Sequence, residues 1–148
     1  MTTSTTPLRV LLVEDDLGDV ALMENAFEDH QIRSELNHVA DGVEALAYLR
    51  REDRYQDAPR PDLFLLDLNM PRVDGRQVLN EIKADDDLKA IPVIVFTTSA
   101  TTSDIASSYH ARANAYVTKP MDLDEFDRVL AKIRDFYGHL VRLPPRAA

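Results

Sequence analysis

Short apolar runs recur along this chain, and several end abruptly on a polar or charged side chain. Leu8–Val13 reads Leu-Arg-Val-Leu-Leu-Val and is followed by Glu14; Asp62–Leu66 runs into Asp67; Ile91–Thr97 reads Ile-Pro-Val-Ile-Val-Phe-Thr; Ala115–Val117 is a shorter fourth run. Runs of this length, continuous rather than alternating, fit strands buried on both faces of a parallel sheet. Ser34–Ala40 alternates less cleanly and reads as an edge strand.

Between the runs the apolar period changes to that of helices. Val20, Met23 and Phe27 share one face, then Val43, Leu46 and Ala47, then Val78 and Ile82. Strand and helix alternate five times, which predicts an α/β domain, a doubly wound sheet whose parallel strands are joined by right-handed helical crossovers. Asp16, Asp41-Gly42 and Asp74-Gly75, the last just after Pro71, read as helix openings, and Ser103 before Asp104 as a further cap. Arg51–Pro61, charged and holding two prolines, reads as a surface loop.

The last predicted helix carries Leu123, Phe126, Leu130, Ile133, Tyr137 and Leu140, with Val129 and Phe136 widening the stripe. One reading is a face turned to the core. The other is a self-association surface, with Phe126, Leu130, Ile133 and Tyr137 at a homodimer interface.

Composition narrows the class. A chain of 148 residues, 45% hydrophobic and 29% charged, has the size and balance of one globular domain. The expected division is a disordered tail over 1–7, the domain over 8–137 and a C-terminal extension over 138–148. A formal net charge of −9 argues against nucleic acid as a partner, because such binding rests on basic patches. No apolar run reaches the ~18–20 residues of a membrane span, and the Thr/Ser-rich start lacks the features of a signal peptide, so no membrane association and a cytoplasmic location are expected. With no cysteine, disulfides and thiolate sites are excluded. His30, His38, His110 and His139 fall at no ligand spacing.

Candidate chemistry gathers at the strand ends, where an open parallel sheet places its ligand site. The first strand yields Glu14-Asp15-Asp16, the third Asp67, the fourth Thr97-Thr98-Ser99, and Lys119-Pro120 follows the fifth. Any one acid after a strand is adequately explained as a helix cap. Acids from two strand ends brought together repel one another unless protons or a cation compensate, and an oxygen-only donor set favours Mg²⁺ or Mn²⁺. The same acids disfavour a flavin or nucleotide, which would want backbone N–H groups and a glycine-rich loop at the first strand end.

Leu-Leu-Val-Glu-Asp-Asp (11–16), Leu-Leu-Asp-Leu-Asn-Met-Pro (65–71), Phe-Thr-Thr-Ser (96–99) and Tyr-Val-Thr-Lys-Pro (116–120) together resemble the receiver domains of two-component response regulators. The resemblance implies a flavodoxin-like (CheY-like) fold, five parallel strands in the order 2-1-3-4-5 flanked by five helices. It implies that Asp67 takes a phosphoryl group from a sensor histidine kinase in a Mg²⁺-dependent reaction, with Mn²⁺ able to substitute. Asp15, Asp67 and the backbone carbonyl of Asn69 would hold the metal, and Glu14 would act through a metal-bound water. Lys119 would pair with Asp67 before phosphorylation and with the phosphoryl group afterwards, and the Lys119–Pro120 peptide would be cis. Thr97 would hydrogen-bond the phosphoryl oxygen, and Tyr116 would swing inward in response.

Within that family the chain looks most like the stand-alone receivers serving bacterial phytochrome-type kinases, on the strength of Asp-Leu-Asn-Met-Pro-Arg (67–72), Phe-Thr-Thr-Ser (96–99) and Phe-Tyr-Gly-His-Leu-Val-Arg-Leu-Pro (136–144). Those relatives tend to form homodimers through the last helix. The resemblance implies a signalling phosphoacceptor rather than an enzyme acting on a separate substrate. Two other readings stand beside it: a phosphatase with an aspartyl nucleophile, which would want an acid where Asn69 stands, and a phosphorylation-independent adaptor or dimerisation module built on the last helix.

Overall fold

The computed structural model describes residues 6–29, 31–70 and 72–146; Met1 to Thr5, His30, Pro71 and the last two alanines lie outside the described residues. Five strands, β1 (Leu8–Val13), β2 (Ser34–Val39), β3 (Leu63–Leu66), β4 (Val93–Thr97) and β5 (Ala115–Thr118), form one parallel sheet in the order β2-β1-β3-β4-β5. Between and after them come α1 (Leu17–Ala26), α2 (Gly42–Leu49), α3 (Gly75–Ala84), α4 (Thr102–His110) and α5 (Leu123–Asp135). The expected doubly wound topology is present.

Alternation along the strands divides the core in two. Leu11, Val13, Phe64, Leu66, Val93 and Val95 pack with residues of α2 and α3 on one face. Val10, Leu12, Leu63, Leu65, Ile94 and Phe96 pack with α1 and α5 on the other. With apolar groups needed on both faces, the central strands read as unbroken hydrophobic runs.

Each helix begins near the carboxyl edge of the sheet behind a side-chain cap. Asp16, Asp41, Asp74, Thr101 and Asp122 accept hydrogen bonds from the first turns of α1 to α5 in order, each worth about 1 kcal/mol. The α4 cap is Thr101, two residues before the expected Ser103: Thr101 Oγ1 receives the Asp104 N–H at 3.1 Å.

Two helices are rotated or divided relative to expectation. In α2 the buried positions are Gly42, Ala45 and Tyr48, while Val43 is exposed. Tyr48 turns the helix, because its large ring joins the core and its hydroxyl donates to the Pro59 carbonyl at 2.9 Å. The last helix is regular only to Asp135, and Phe136–Leu140 form a π turn.

Phe126, Leu130 and Ile133 are buried against the sheet, and Tyr137 is half-buried against the same cluster. Phe126, Leu130 and Ile133 are therefore core of the single chain and closed to a partner, while Tyr137 is only partly covered. The apolar groups this region leaves to solvent are Leu123, Phe136 and Leu140.

The segment after the π turn folds back on the amino edge of the sheet. Gly138 sits where a Cβ would come within 2.5 Å of Ile32 Cγ2, and Leu143 packs on the α1/α5 side of the core. Arg146 binds both oxygens of buried Asp62, at 2.9 and 2.5 Å, and donates to the Pro7 carbonyl at 2.8 Å. Residue 7 and residues 138–146 are thus tied to the domain rather than hanging from it. Among the described residues no helix is long and apolar enough to cross a membrane.

Candidate functional site

At the carboxyl edge, β1 and β3 are adjacent and in register, Val13 opposite Leu66, so the residues that follow them are neighbours. Asp67 is fixed by its N–H, which donates to the Val13 carbonyl at 2.9 Å, and Glu14 by its own, which donates to the Val39 carbonyl at 3.1 Å. One oxygen each from Glu14, Asp15 and Asp67 lies within 4.8 Å of the others. Glu14 and Asp67 are buried, at 1% and 6% exposure, whereas Asp15 faces solvent.

Glycine makes room for this arrangement. A Cβ on Gly75 would lie 2.0 Å from the Asp67 carbonyl oxygen, and one on Gly42 would lie 1.9 Å from that of Val73. The loop between β3 and α3 can therefore fold tightly under the site only because both positions lack a side chain. Across its rim Arg72, with a positive φ of 64°, binds Asp41 at 2.6 Å.

Lys119 enters from the end of β5, its N–H donating to the Thr97 carbonyl at 2.7 Å. Its ammonium lies 2.5 Å from Glu14 Oε1, 2.8 Å from Asp19 Oδ2 and 3.7 Å from Asp67 Oδ2. The expected pairing with Asp67 is thus an ion-pair distance only, and the hydrogen bonds go to Glu14 and Asp19. No peptide bond among the described residues is cis, Lys119–Pro120 included. Trans is the intrinsically favoured isomer of an X-Pro bond, and from it the side chain already reaches all three acids.

Electrostatics follow from this crowding. Burial pushes the Glu14 carboxyl up to about 7; Lys119 opposes the shift and the charge of Asp67 adds to it. Burial acts to lower the Lys119 pKa, but hydrogen bonds to Asp19 and Glu14, with the charges of Glu14 and Asp67, raise it above its ordinary value. Lys119 stays charged, then, and Glu14 is poised between its two forms. A divalent cation at the three oxygens would favour the ionised form of Glu14 against its burial and the charge of Asp67, and hard carboxylate donors suit Mg²⁺ and Mn²⁺ alike. The residues fit such an ion.

The remaining expected residues surround the acids. Asn69 is exposed beside them and its N–H donates to Asp67 Oδ1 at 3.3 Å. Thr97 ends β4 fully buried, and its Oγ1 has no hydrogen-bond partner. Tyr116, opposite Val95 in the sheet, is already half-buried against the core, with its hydroxyl donating to the Ser99 carbonyl at 2.8 Å. His38 Nε2 lies 2.6 Å from the Glu14 carbonyl oxygen, a backbone contact with no ligand role.

Asp19 was missed by sequence reasoning, although a signal existed. It stands three residues into the turn that Asp16 caps, its N–H on Asp16 Oδ1 at 3.1 Å. An acid at that position on the helix leaving an acidic strand end faces back over the site.

A doubly wound α/β fold with an oxygen-only cation site and an invading lysine at the carboxyl edge defines a signalling module of the phosphoacceptor type. The match is specific: the family of response regulator receiver domains fits residues 10–131, and the chain belongs to that family. It acts in two-component signalling as a phosphoryl acceptor. Among individual proteins it is 42% identical over 141 residues to the response regulator Rcp1 of Synechocystis sp., covering 95% of this chain and 96% of that one. The phosphorylated cyanobacterial phytochrome response regulator RcpA superposes with a TM-score of 0.92 at 43% identity, covering 95% of this chain and all of the other. The Mn²⁺-bound form of Rcp1 superposes with a TM-score of 0.90 at 42% identity, covering 94% and 100%.

Proposed function

We propose that Asp67 is the phosphoacceptor and that the reaction depends on Mg²⁺, with Mn²⁺ able to replace it. The observation that carries this reading is the convergence of Glu14, Asp15 and Asp67 oxygens within 4.8 Å beside a lysine held by three carboxylates. A carboxylate oxygen of Asp67 attacks the phosphorus of a phosphohistidine on a sensor kinase. The new O–P bond forms as the P–N bond breaks, and the electron pair returns to the imidazole.

Asp15 and Asp67, with the Asn69 carbonyl and Glu14, would hold the cation, which when bound supplies charge neutralisation for the incoming phosphoryl oxygens. Lys119 is the protein's own cation for that task. A flexible point charge suits an acidic site before transfer and a phosphoryl group after it. The buried, unpaired hydroxyl of Thr97 supports its role as donor to a phosphoryl oxygen, and Tyr116 carries the change to the surface formed by α4, β5 and α5.

The sensor we assign is a phytochrome-type histidine kinase, on the likeness to Rcp1 and RcpA, working in the cytoplasm. The exposed Leu123, Phe136 and Leu140 support a homodimer through the outer side of α5 and the π turn.

The test uses acetyl phosphate with Mg²⁺, Mn²⁺ or a chelator. One phosphoryl group should be taken up with either metal and none with the chelator. Asp67→Asn should take up none, and equal labelling of that variant sinks the assignment. Light-dependent transfer from a phytochrome kinase, absent with unrelated kinases, tests the pathway. Sedimentation of Phe136→Ser and Leu140→Ser tests the dimer.

A further inference from the structure

Arg76 is out of place by local rules. It lies in the first turn of α3, where the helix dipole disfavours a cation, and the nearby cap Asp74 offsets this only through a long ion pair of 3.7 Å. Its main partner is distant in sequence: Nη2 and Nε donate to Asp104 Oδ1 at 2.7 and 3.3 Å. Asp104 in turn lies in the first turn of α4, where an acid suits the helix dipole, and its oxygens are divided between a residue of α3 and one of the β4–α4 loop. Oδ1 takes Arg76, and Oδ2 accepts the Ser99 hydroxyl at 2.6 Å.

Ser99 sits two residues beyond Thr97. Its side chain is held by Asp104 while its carbonyl accepts the Tyr116 hydroxyl at 2.8 Å. A continuous chain of polar contacts therefore runs from the helix that follows Asp67, through Arg76, Asp104 and Ser99, to Tyr116. It crosses the loop that carries on from Thr97 at the end of β4.

We infer that Arg76 and Asp104 are positioning residues: their ion pair fixes Ser99, and through it couples the phosphoryl state of Asp67 to the placement of Tyr116. The inference rests on Asp67, Thr97 and Tyr116 having the roles proposed above. The hydrogen bonds from Ser99 and Arg76 hold the Asp104 carboxyl below its ordinary range, so the latch is charged at neutral pH. A helix-capping role alone would leave Arg76 unexplained, since Thr101 already caps α4. The link offered is a contiguous set of polar contacts, and whether it has a second arrangement in the phosphoryl state is what the experiment reads.

The experiment compares wild type, Asp104→Asn, Arg76→Ala and the double variant, each with Mg²⁺ and beryllium trifluoride as a stable phosphoryl mimic. The readout is the NMR signal of the Tyr116 ring in tyrosine-labelled protein, assigned with Tyr116→Phe. Acetyl phosphate labelling of Asp67 runs in parallel. The wild-type signal should move on adding the mimic, and in each single variant it should move less than half as far while labelling persists. The double variant should be no worse than either single one.

Arg50→Ala, which removes the surface pair with Glu81 at 3.0 Å, controls for a general loss of stability and should leave the Tyr116 shift at its wild-type size. Should Asp104→Asn melt below the measuring temperature, Ser99→Ala breaks the same chain with less loss of charge. Full wild-type shifts in the labelled single variants overturn the latch alone. A wild type that takes no label overturns the underlying reading and the latch with it.

Discussion

Lys119 Nζ lies 2.5 Å from Glu14 Oε1, and both side chains are almost completely buried. The pair closes the carboxyl edge of the sheet from opposite ends of the chain, 105 residues apart. On the function proposed above, the lysine would leave, or share, Glu14 to meet a phosphoryl group on Asp67.

Removing the ammonium should expose how much repulsion it contains. Lys119→Ala leaves Glu14, Asp19 and Asp67 without their cation, and an unpaired buried charge costs about 3 kcal/mol. The loss should be full in a chelator and largely recovered with millimolar Mg²⁺, as read by urea unfolding. Equal stability in the two buffers would contradict the cation site.

Glu14 should give the metal-free protein a pH dependence of defined sign. Its folded pKa, about 7, lies above the ordinary 4.5, so the folded state holds the proton more tightly than the unfolded one. The contribution is then fully present below about 4.5 and is lost as pH rises through about 7. Glu14→Gln should abolish that fall, and saturating Mg²⁺ should shift it to lower pH. Thermal melting between pH 5 and 8 with and without metal measures both.

Metal binding should also stabilise the fold directly. At a hundredfold excess over the dissociation constant the gain is about 2.7 kcal/mol if only the native state binds. Asp15→Asn should reduce it, since it removes one of the three clustered carboxylates at an exposed position. A melting temperature unmoved by Mg²⁺ in the wild type would remove the centre from the site.

Gly75→Ala should damage site and fold together. The added methyl would stand 2.0 Å from the Asp67 carbonyl oxygen, and backbone cannot yield as a flexible side chain can. A destabilisation of about 1–3 kcal/mol is expected, with slower acetyl phosphate labelling of Asp67. Gly18→Ala provides the contrast, because its Cβ would meet only the Asp16 carboxylate at 3.2 Å.

Arg146→Ala should act on stability alone. It strips buried Asp62 of its guanidinium and frees the Pro7 carbonyl, at the edge of the sheet opposite Asp67. About 2–4 kcal/mol should be lost, and Asp62→Asn in the same chain should recover part of it. Labelling of Asp67 should be unchanged, and a large change there would show that the two edges communicate.

The sequence alone determined the strands, their parallel order through the family resemblance, three of the five helix caps, and the acids, threonine and lysine at the strand ends. Those features are local. An apolar run, a cap or an acid after a strand is complete within a few residues, and the period of burial repeats inside each element. Tertiary structure decided everything that depends on how an element is rotated or on what lies across the sheet. Tyr48 turned α2 away from Val43, and the core absorbed Phe126, Leu130 and Ile133. Asp19 reached Lys119, Arg76 found Asp104, and Arg146 found Asp62, partners 100, 28 and 84 residues apart. Charged side chains carry no period that points to their partners, so only the packed backbone could select them.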